Sequence, residues 1–242
     1  MQDYAIKAEK IRKNYTKTGP DALQTTSLTF RPGELVAVIG HNGAGKSTLF
    51  DILAGLIKPS SGTLHRSISA SEIGWCPQRE IIDWSLTVRQ NIMLGLNLRA
   101  RSFRPNSEIS ELVDLLGLAR FIDRTVEGLS GGELRRTQIA RAMAGNPAFI
   151  MLDEPTTGLD PDGVRAVFEH LQQRVQAGAT ALVTTHETSR FAQYCNRVVA
   201  LHRGEVIADL PAVEFVQHSS EDGDNLWSAY RAIIAERESE QA

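Results

Sequence analysis

The chain has two cysteines in 242 residues, Cys76 and Cys195, with no metal-like spacing between them. That excludes a disulfide framework and suits a reducing compartment. Long apolar runs are also missing. A stretch such as Leu35-Val36-Ala37-Val38-Ile39 falls far short of the ~20 residues a membrane helix needs. The start, Met1-Gln2-Asp3-Tyr4, has no basic region leading into an apolar one, so it does not read as a signal peptide. The expectation is a chain soluble on its own, reaching a membrane only through a partner or by surface contact. There is no basic surplus: 26 Lys and Arg stand against 29 Asp and Glu, a net charge of −3, which gives no support to nucleic-acid binding. Internal repeats, low-complexity segments and long linkers are absent. What is present is ordinary for a folded protein, 42% hydrophobic and 23% charged residues, at a length one α/β domain can fill.

Patterning predicts the elements. Ala5–Ile11 and Ala22–Phe30 read as strands around the turn Thr18-Gly19-Pro20-Asp21. Leu35–Ile39, Ala148–Leu152 and Ala181–Thr185 are short, wholly apolar strands of the kind buried in a parallel sheet. Thr63–Leu64 and Ile73–Cys76 read as short strands, and Val198–Leu201 with Glu205–Ala208 as an edge hairpin around Arg203-Gly204. Helices are predicted at Lys46–Leu56, Leu86–Leu98, Glu108–Leu118, Gly131–Gly145 and Pro161–Gln176. A last one, Asn225–Arg237, carries Leu226, Trp227, Tyr230, Ile233 and Ile234 on one face, a stripe that fits packing on its own domain. Alternating strands and helices imply a mostly parallel α/β sheet.

Gly40-His41-Asn42-Gly43-Ala44-Gly45-Lys46-Ser47 fits G-x-x-x-x-G-K-[ST] in full, with an apolar strand before it and a helix after. Glycines let the backbone curl so that successive N–H groups point at phosphate oxygens. The helix start adds positive potential. Lys46 would reach the β- and γ-phosphates, and the Ser47 hydroxyl would coordinate Mg²⁺. The loop predicts binding of a nucleoside triphosphate without saying which NTPase this is.

Phe149-Ile150-Met151-Leu152-Asp153-Glu154 is an apolar strand ending in two acids. Asp153 is placed to hold Mg²⁺, and Glu154 to polarise the attacking water as general base. Leu129-Ser130-Gly131-Gly132-Glu133 opens a helix carrying Arg135, Arg136 and Arg141. Ser130 is a good N-cap and the glycines expose N–H groups, so this is either a second anion-binding helix start or a plain capped helix. His186 follows a buried strand, where a lone histidine is more often structural than catalytic. Gln78 follows another, where its amide is either a ligand for Mg²⁺ or water, or simply solvated.

Together these motifs resemble the ABC-type ATPase family, in family order, over Tyr15 to about Gly204. The resemblance makes Gly40–Ser47 the Walker A loop, with Thr48 beside it, Gln78 the Q-loop, Leu129–Glu133 the signature and Phe149–Glu154 Walker B. Asp160 looks like the D-loop aspartate, His186 like the switch histidine, and Tyr15 sits where the family stacks an aromatic ring on adenine. It implies a P-loop NTPase fold of ABC type, with an N-terminal antiparallel β subdomain, a helical subdomain near 79–145 and a helical tail at 211–242, within one ATPase domain, 1–242. It implies ATP and Mg²⁺, hydrolysis by Glu154 with His186 and Lys46, and a head-to-tail dimer. There Ser130, Gly131, Gly132 and Glu133 of one subunit would meet the γ-phosphate held by the other, and Asp160 would link the two sites. Position 133 is Glu where many relatives have Gln.

A transporter motor, a genome or ribosome ATPase and a P-loop kinase all use such loops. The kinase has no place for the signature. The chain lacks the coiled-coil insertions of the DNA-working relatives and the doubled halves of the ribosomal ones, so the resemblance points to transport. It implies a hydrophobic membrane subunit as partner, no nucleic acid, and a peripheral place on the cytoplasmic face of the cell membrane. Gln78–Leu94, including Ile81, Ile82, Trp84 and Leu86, would carry the docking surface, provided Trp84 is exposed rather than core. The stretch Asp83–Ile92, and Thr184-Thr185-His186-Glu187 with Cys195–Val198, are similar to exporter motors of the ABC-2 kind; import is the alternative.

Overall fold

The computed structural model describes residues 3–16, 18–99, 105–185, 191–219 and 225–240. Strands β1 (Ile6–Lys13), β2 (Leu23–Phe30) and β4 (Ser61–Arg66) form an antiparallel sheet in the order β2-β1-β4. Strands β3 (Leu35–Ile39), β5 (Ile73–Cys76), β6 (Phe149–Asp153), β7 (Thr180–Thr184), β8 (Arg197–His202) and β9 (Glu205–Pro211) form the second, in the order β5-β6-β7-β3-β8-β9. All its pairings are parallel except β8 with β9. β3, β6 and β7 are buried at every position, as their largely apolar sequences require, with Asp153, Thr180 and Thr184 the polar residues buried at strand ends.

Alternation along these strands divides the core. Leu35, Ala37 and Ile39 of β3, with Ile150 and Leu152 of β6, face one apolar cluster. Val36, Val38, Phe149 and Met151 face the other, shared with the antiparallel sheet and with helix α1 (Lys46–Ala54). The first cluster continues into helices α2 (Val88–Asn97), α3 (Pro105–Leu115) and α4 (Gly131–Met143) through Ile92, Leu96, Leu112 and Ile139. It also takes in helix α5 (Pro161–Gln176), the single turn α6 (Ala212–Phe215) and the C-terminal helix α7 (Leu226–Glu240). In α7, Leu226, Tyr230 and Ile233 are buried. Arg237 donates to Glu205 at 2.8 Å and to the Ile207 carbonyl at 3.1 Å, so the helix packs on its own chain.

Element ends move for local reasons. α1 stops at Ala54, two residues before the predicted Leu56, because Gly55 turns left-handed (φ 80°) and its N–H closes on the Asp51 and Ile52 carbonyls. β4 runs over six residues rather than two. Ser61-Gly62-Thr63-Leu64-His65-Arg66 has no apolar pattern to announce it, and pairing with β1 at an exposed edge makes it a strand. α2 begins at Val88, not Leu86, because Thr87 caps it in a reciprocal box with Gln90. α4 ends at Met143 and is fastened to the sheet beyond its last turn. There the buried Arg99 guanidinium donates to the carbonyls of Ala142, Ala144 and Gly95, and to that of Ile73 in β5. Among the described residues no helix is long and apolar enough to cross a membrane.

Candidate nucleotide site

Between β3 and α1 the chain curls through three glycines with positive φ, Gly40 (154°), Gly43 (79°) and Gly45 (103°). A side chain at Gly45 would stand 2.5 Å from the Ala22 carbonyl, so only glycine fits there. The loop lines a cleft of about 370 Å³ with Asn42, Gly43, Ala44, Gly45, Lys46, Ser47 and Thr48. Ala22, Gln78, Asp153 and Glu154 complete the lining. The Lys46 amine donates to the loop's own Gly40 and His41 carbonyls at 2.6 and 3.2 Å. Burial lowers its pKa below the usual lysine value, against the pull of Glu154 and Asp153.

Gly40 and His41, expected among the nucleotide contacts, do not line this cleft. The His41 ring turns to α7, edge-on to Trp227 (4.8 Å between centroids) and tilted against Tyr230 (5.4 Å). Gly40 instead admits the close approach of the Leu201 carbonyl of β8. Both positions serve to seat the loop.

The two acids are set by β6 and its register with β7, which places Asp153 beside Thr184. The Thr184 hydroxyl donates to Asp153 Oδ1 at 2.5 Å and accepts the Glu154 N–H at 2.9 Å, holding both acids from one side chain. Ser47 Oγ donates to Asp153 Oδ2 at 3.2 Å. A serine hydroxyl and a carboxylate converging in a cleft are the hard oxygen donors Mg²⁺ takes alongside phosphates, so these residues fit that ion. Glu154 is buried, and its backbone is left-handed (φ 53°), an uncommon conformation for a non-glycine residue that Lys10, Asn146 and Arg203 also adopt.

A second cleft, about 490 Å³, lies on the other side of Gln78 and Glu154, which border both. Gly131 and Gly132 of the signature line it, with Arg135, Thr157 and Gly158. Ser130 is exposed and caps α4, and the Glu133 carboxylate reaches back to accept the Ser130 N–H at 2.8 Å. Glu133 is thereby a capping group, with its carboxyl pKa lowered first by that backbone bond. One turn on, the buried Arg135 guanidinium donates to the Pro77 carbonyl at 2.5 Å and to the Asp153 carbonyl. It ties the Gln78 loop, the acid-bearing strand and the signature helix together.

Other expected residues fall out differently. Tyr15 is 60% exposed, with its hydroxyl 3.5 Å from that of Thr48 at the loop's end. Asp160 caps α5 by accepting the Gly163 N–H at 2.7 Å. Trp84 is 47% exposed and Ile81 37%, so Trp84 is not core. His186 lies outside the described residues, as does Glu187. The roles of Thr184, Arg135 and Tyr230 escape a reading of the sequence, because each acts on residues remote along the chain.

Comparison with known proteins identifies the family. The family model described as "ABC transporter" matches residues 23–157. The Nod factor export ATP-binding protein I of Paraburkholderia xenovorans is 32% identical over 220 residues, spanning 86% of this chain and 71% of that one. The methionine import ATP-binding protein MetN 3 of Bacillus cereus is 32% identical over 234 residues, 90% of this chain and 69% of that one. The dimeric, post-hydrolysis structure of the ATP-binding cassette MJ0796 bound to ADP and Pi superposes with a TM-score of 0.77. It is 28% identical and covers 86% of this chain and 98% of that chain.

Proposed function

The chain belongs to the ABC transporter family as an ATP-binding ATPase subunit, and from that premise we propose how its own residues do the work. The observation that carries the reading is one cleft lined by the phosphate loop, Gln78, Asp153 and Glu154. Loop N–H groups and Lys46 bind the ATP phosphates. Ser47 and Asp153, with Gln78 beside them, hold Mg²⁺, which supplies charge neutralisation on the phosphates when bound. Glu154 accepts the proton of the attacking water, and His186 supports it at the γ-phosphate. Tyr15, exposed beside Thr48, offers its ring to adenine.

The exposed Ser130, with Gly131 and Gly132, is absent from the lining of the chain's own phosphate cleft and serves a second subunit's ATP. The dimeric state of the MJ0796 cassette supports this arrangement. Residues 1–242 act as one ATPase domain, with a helical subdomain near 79–145 and a helical tail at 211–242. Exposed Trp84 and Ile81 are the docking surface for a hydrophobic membrane subunit, which holds the chain at the cytoplasmic face of the membrane.

The direction we favour is export, on the likeness of Asp83–Ile92 to exporter motors; relatives of equal identity are named for export and for import. Two experiments test the whole. Light scattering of Glu154→Gln should show a dimer with ATP and a monomer without; a monomer in both counts against the shared site. Inside-out vesicles holding the chain and its membrane subunit should accumulate cargo with ATP if it exports, and release preloaded cargo if it imports.

A further inference from the structure

The aromatic cluster behind the phosphate loop has no part in the chemistry described so far. Tyr230 is fully buried in the middle of α7. Its hydroxyl donates to the Leu201 carbonyl at 3.0 Å and accepts the His41 N–H at 3.3 Å. The Leu201 carbonyl is also the atom against which Gly40 packs its bare Cα. Trp227, one position short of a turn earlier, stacks on Tyr230 (5.0 Å, 27°) and meets the His41 ring edge-on. His41, the loop's second residue, is therefore gripped by one hydroxyl and two rings from a helix about 190 residues away in sequence, while Gly40 rests on the Leu201 carbonyl that the same hydroxyl bonds.

We propose that Tyr230 is a positioning residue for ATP binding, and that α7 sets the curvature of the phosphate loop from behind. The physical reason is entropic. A glycine-rich loop pays to order its N–H groups around phosphates, and a loop already fixed at its entry pays less. The Tyr230 hydroxyl fixes that entry by spending both its donor and its acceptor on backbone, one partner in β8 and one in the loop. Tyr230 is not among the residues that line the cleft, so it acts on ATP through the loop. The inference rests on the phosphate-loop reading above. By reciprocity, ATP in the cleft must stabilise α7 in turn.

The test uses the full chain. Tyr230→Phe keeps the ring and its stack and removes only the hydroxyl. The expected result is ATP binding and KM weaker by about fivefold, the size of one neutral hydrogen bond, with kcat at saturating ATP within about twofold of the parent. A merely structural role would lower thermal stability and leave KM alone, and that outcome overturns the proposal. Amide exchange on the unmodified chain needs no variant: ATP should slow exchange across residues 226–237, and unchanged exchange there would overturn the proposal as well. Lys46→Ala separates the two readings. If it loses ATP binding while Tyr230→Phe binds normally, only the role of Tyr230 fails. If Lys46→Ala binds ATP like the parent, the phosphate-loop reading itself fails.

Discussion

The Ser47 hydroxyl donates to the Asp153 carboxylate across 3.2 Å, joining two residues 106 positions apart. One comes from the start of α1 and the other from the end of β6, so the sheet itself measures the distance between them. Ser47→Ala removes one of the three oxygen donors proposed for Mg²⁺, the others being Asp153 and Gln78. The Mg²⁺ concentration for half-maximal ATPase should rise by about tenfold or more. A titration of activity against Mg²⁺ at fixed ATP checks it, and an unshifted midpoint removes Ser47 from the metal.

Glu154→Gln keeps the shape of the side chain and deletes its basicity. Phosphate release should fall by about 10²-fold or more, while equilibrium ATP binding stays near that of the parent. Turnover close to normal would assign the base elsewhere.

Lys46 gives a pH prediction. Burial lowers its pKa in the free protein below the ordinary lysine value, and phosphates bind the protonated amine. ATP affinity should therefore decline as pH rises through that lowered value, with proton uptake on binding in the same range. The unfolded chain keeps the proton to higher pH, so the unliganded fold gains stability across the window between the two values. Calorimetry in buffers of different ionisation heat measures the uptake; no buffer dependence at alkaline pH would contradict it.

Gly132 packs directly on Gly158. A methyl at Gly132 would stand 2.6 Å from the Gly158 carbonyl, and Gly158 is itself left-handed (φ 78°). Gly132→Ala should push the signature off the loop after Glu154 and cost about 1–3 kcal/mol of stability. Urea unfolding reads this directly. Gly128→Ala, which meets nothing within 4 Å, should cost much less.

Both thiols are buried, and burial pushes Cys76 up to about 11 and Cys195 up to about 12. Neither should react with a thiol reagent at neutral pH in the native chain, and both should react once it is unfolded. A colorimetric thiol count with and without denaturant tests it; fast labelling of the native chain would show an opening near one of them.

The features legible in the sequence are those whose cause is local. Leu35–Ile39 announces a buried strand because each residue is apolar, and the loop after it announces itself because phosphate binding demands glycine at fixed spacing. Ser130 reads as a cap because the helix it caps follows at once. Thr184 is different: nothing in Thr180–Thr184 marks its hydroxyl as the clasp of two acids, because the β6–β7 register creates that role. The motif alone points His41 at phosphate, whereas its ring packs on a helix that no neighbouring residue foretells. Most of β4 is silent in the sequence for the reverse reason: its strand character comes from its partner, not from its own pattern.

Helix α4 is held to the sheet near both ends by buried guanidinium groups, Arg135 on the Pro77 and Asp153 carbonyls and Arg99 on those of Ala142, Ala144 and Ile73. A rod pinned at two points has no free pivot. A push on its first turn, where Ser130 meets the outside, arrives at the ends of β5 and β6 as displacement rather than being lost in rotation. In the dimer proposed above, the lever that the second subunit's nucleotide presses is already bolted to the floor on which Glu154 stands.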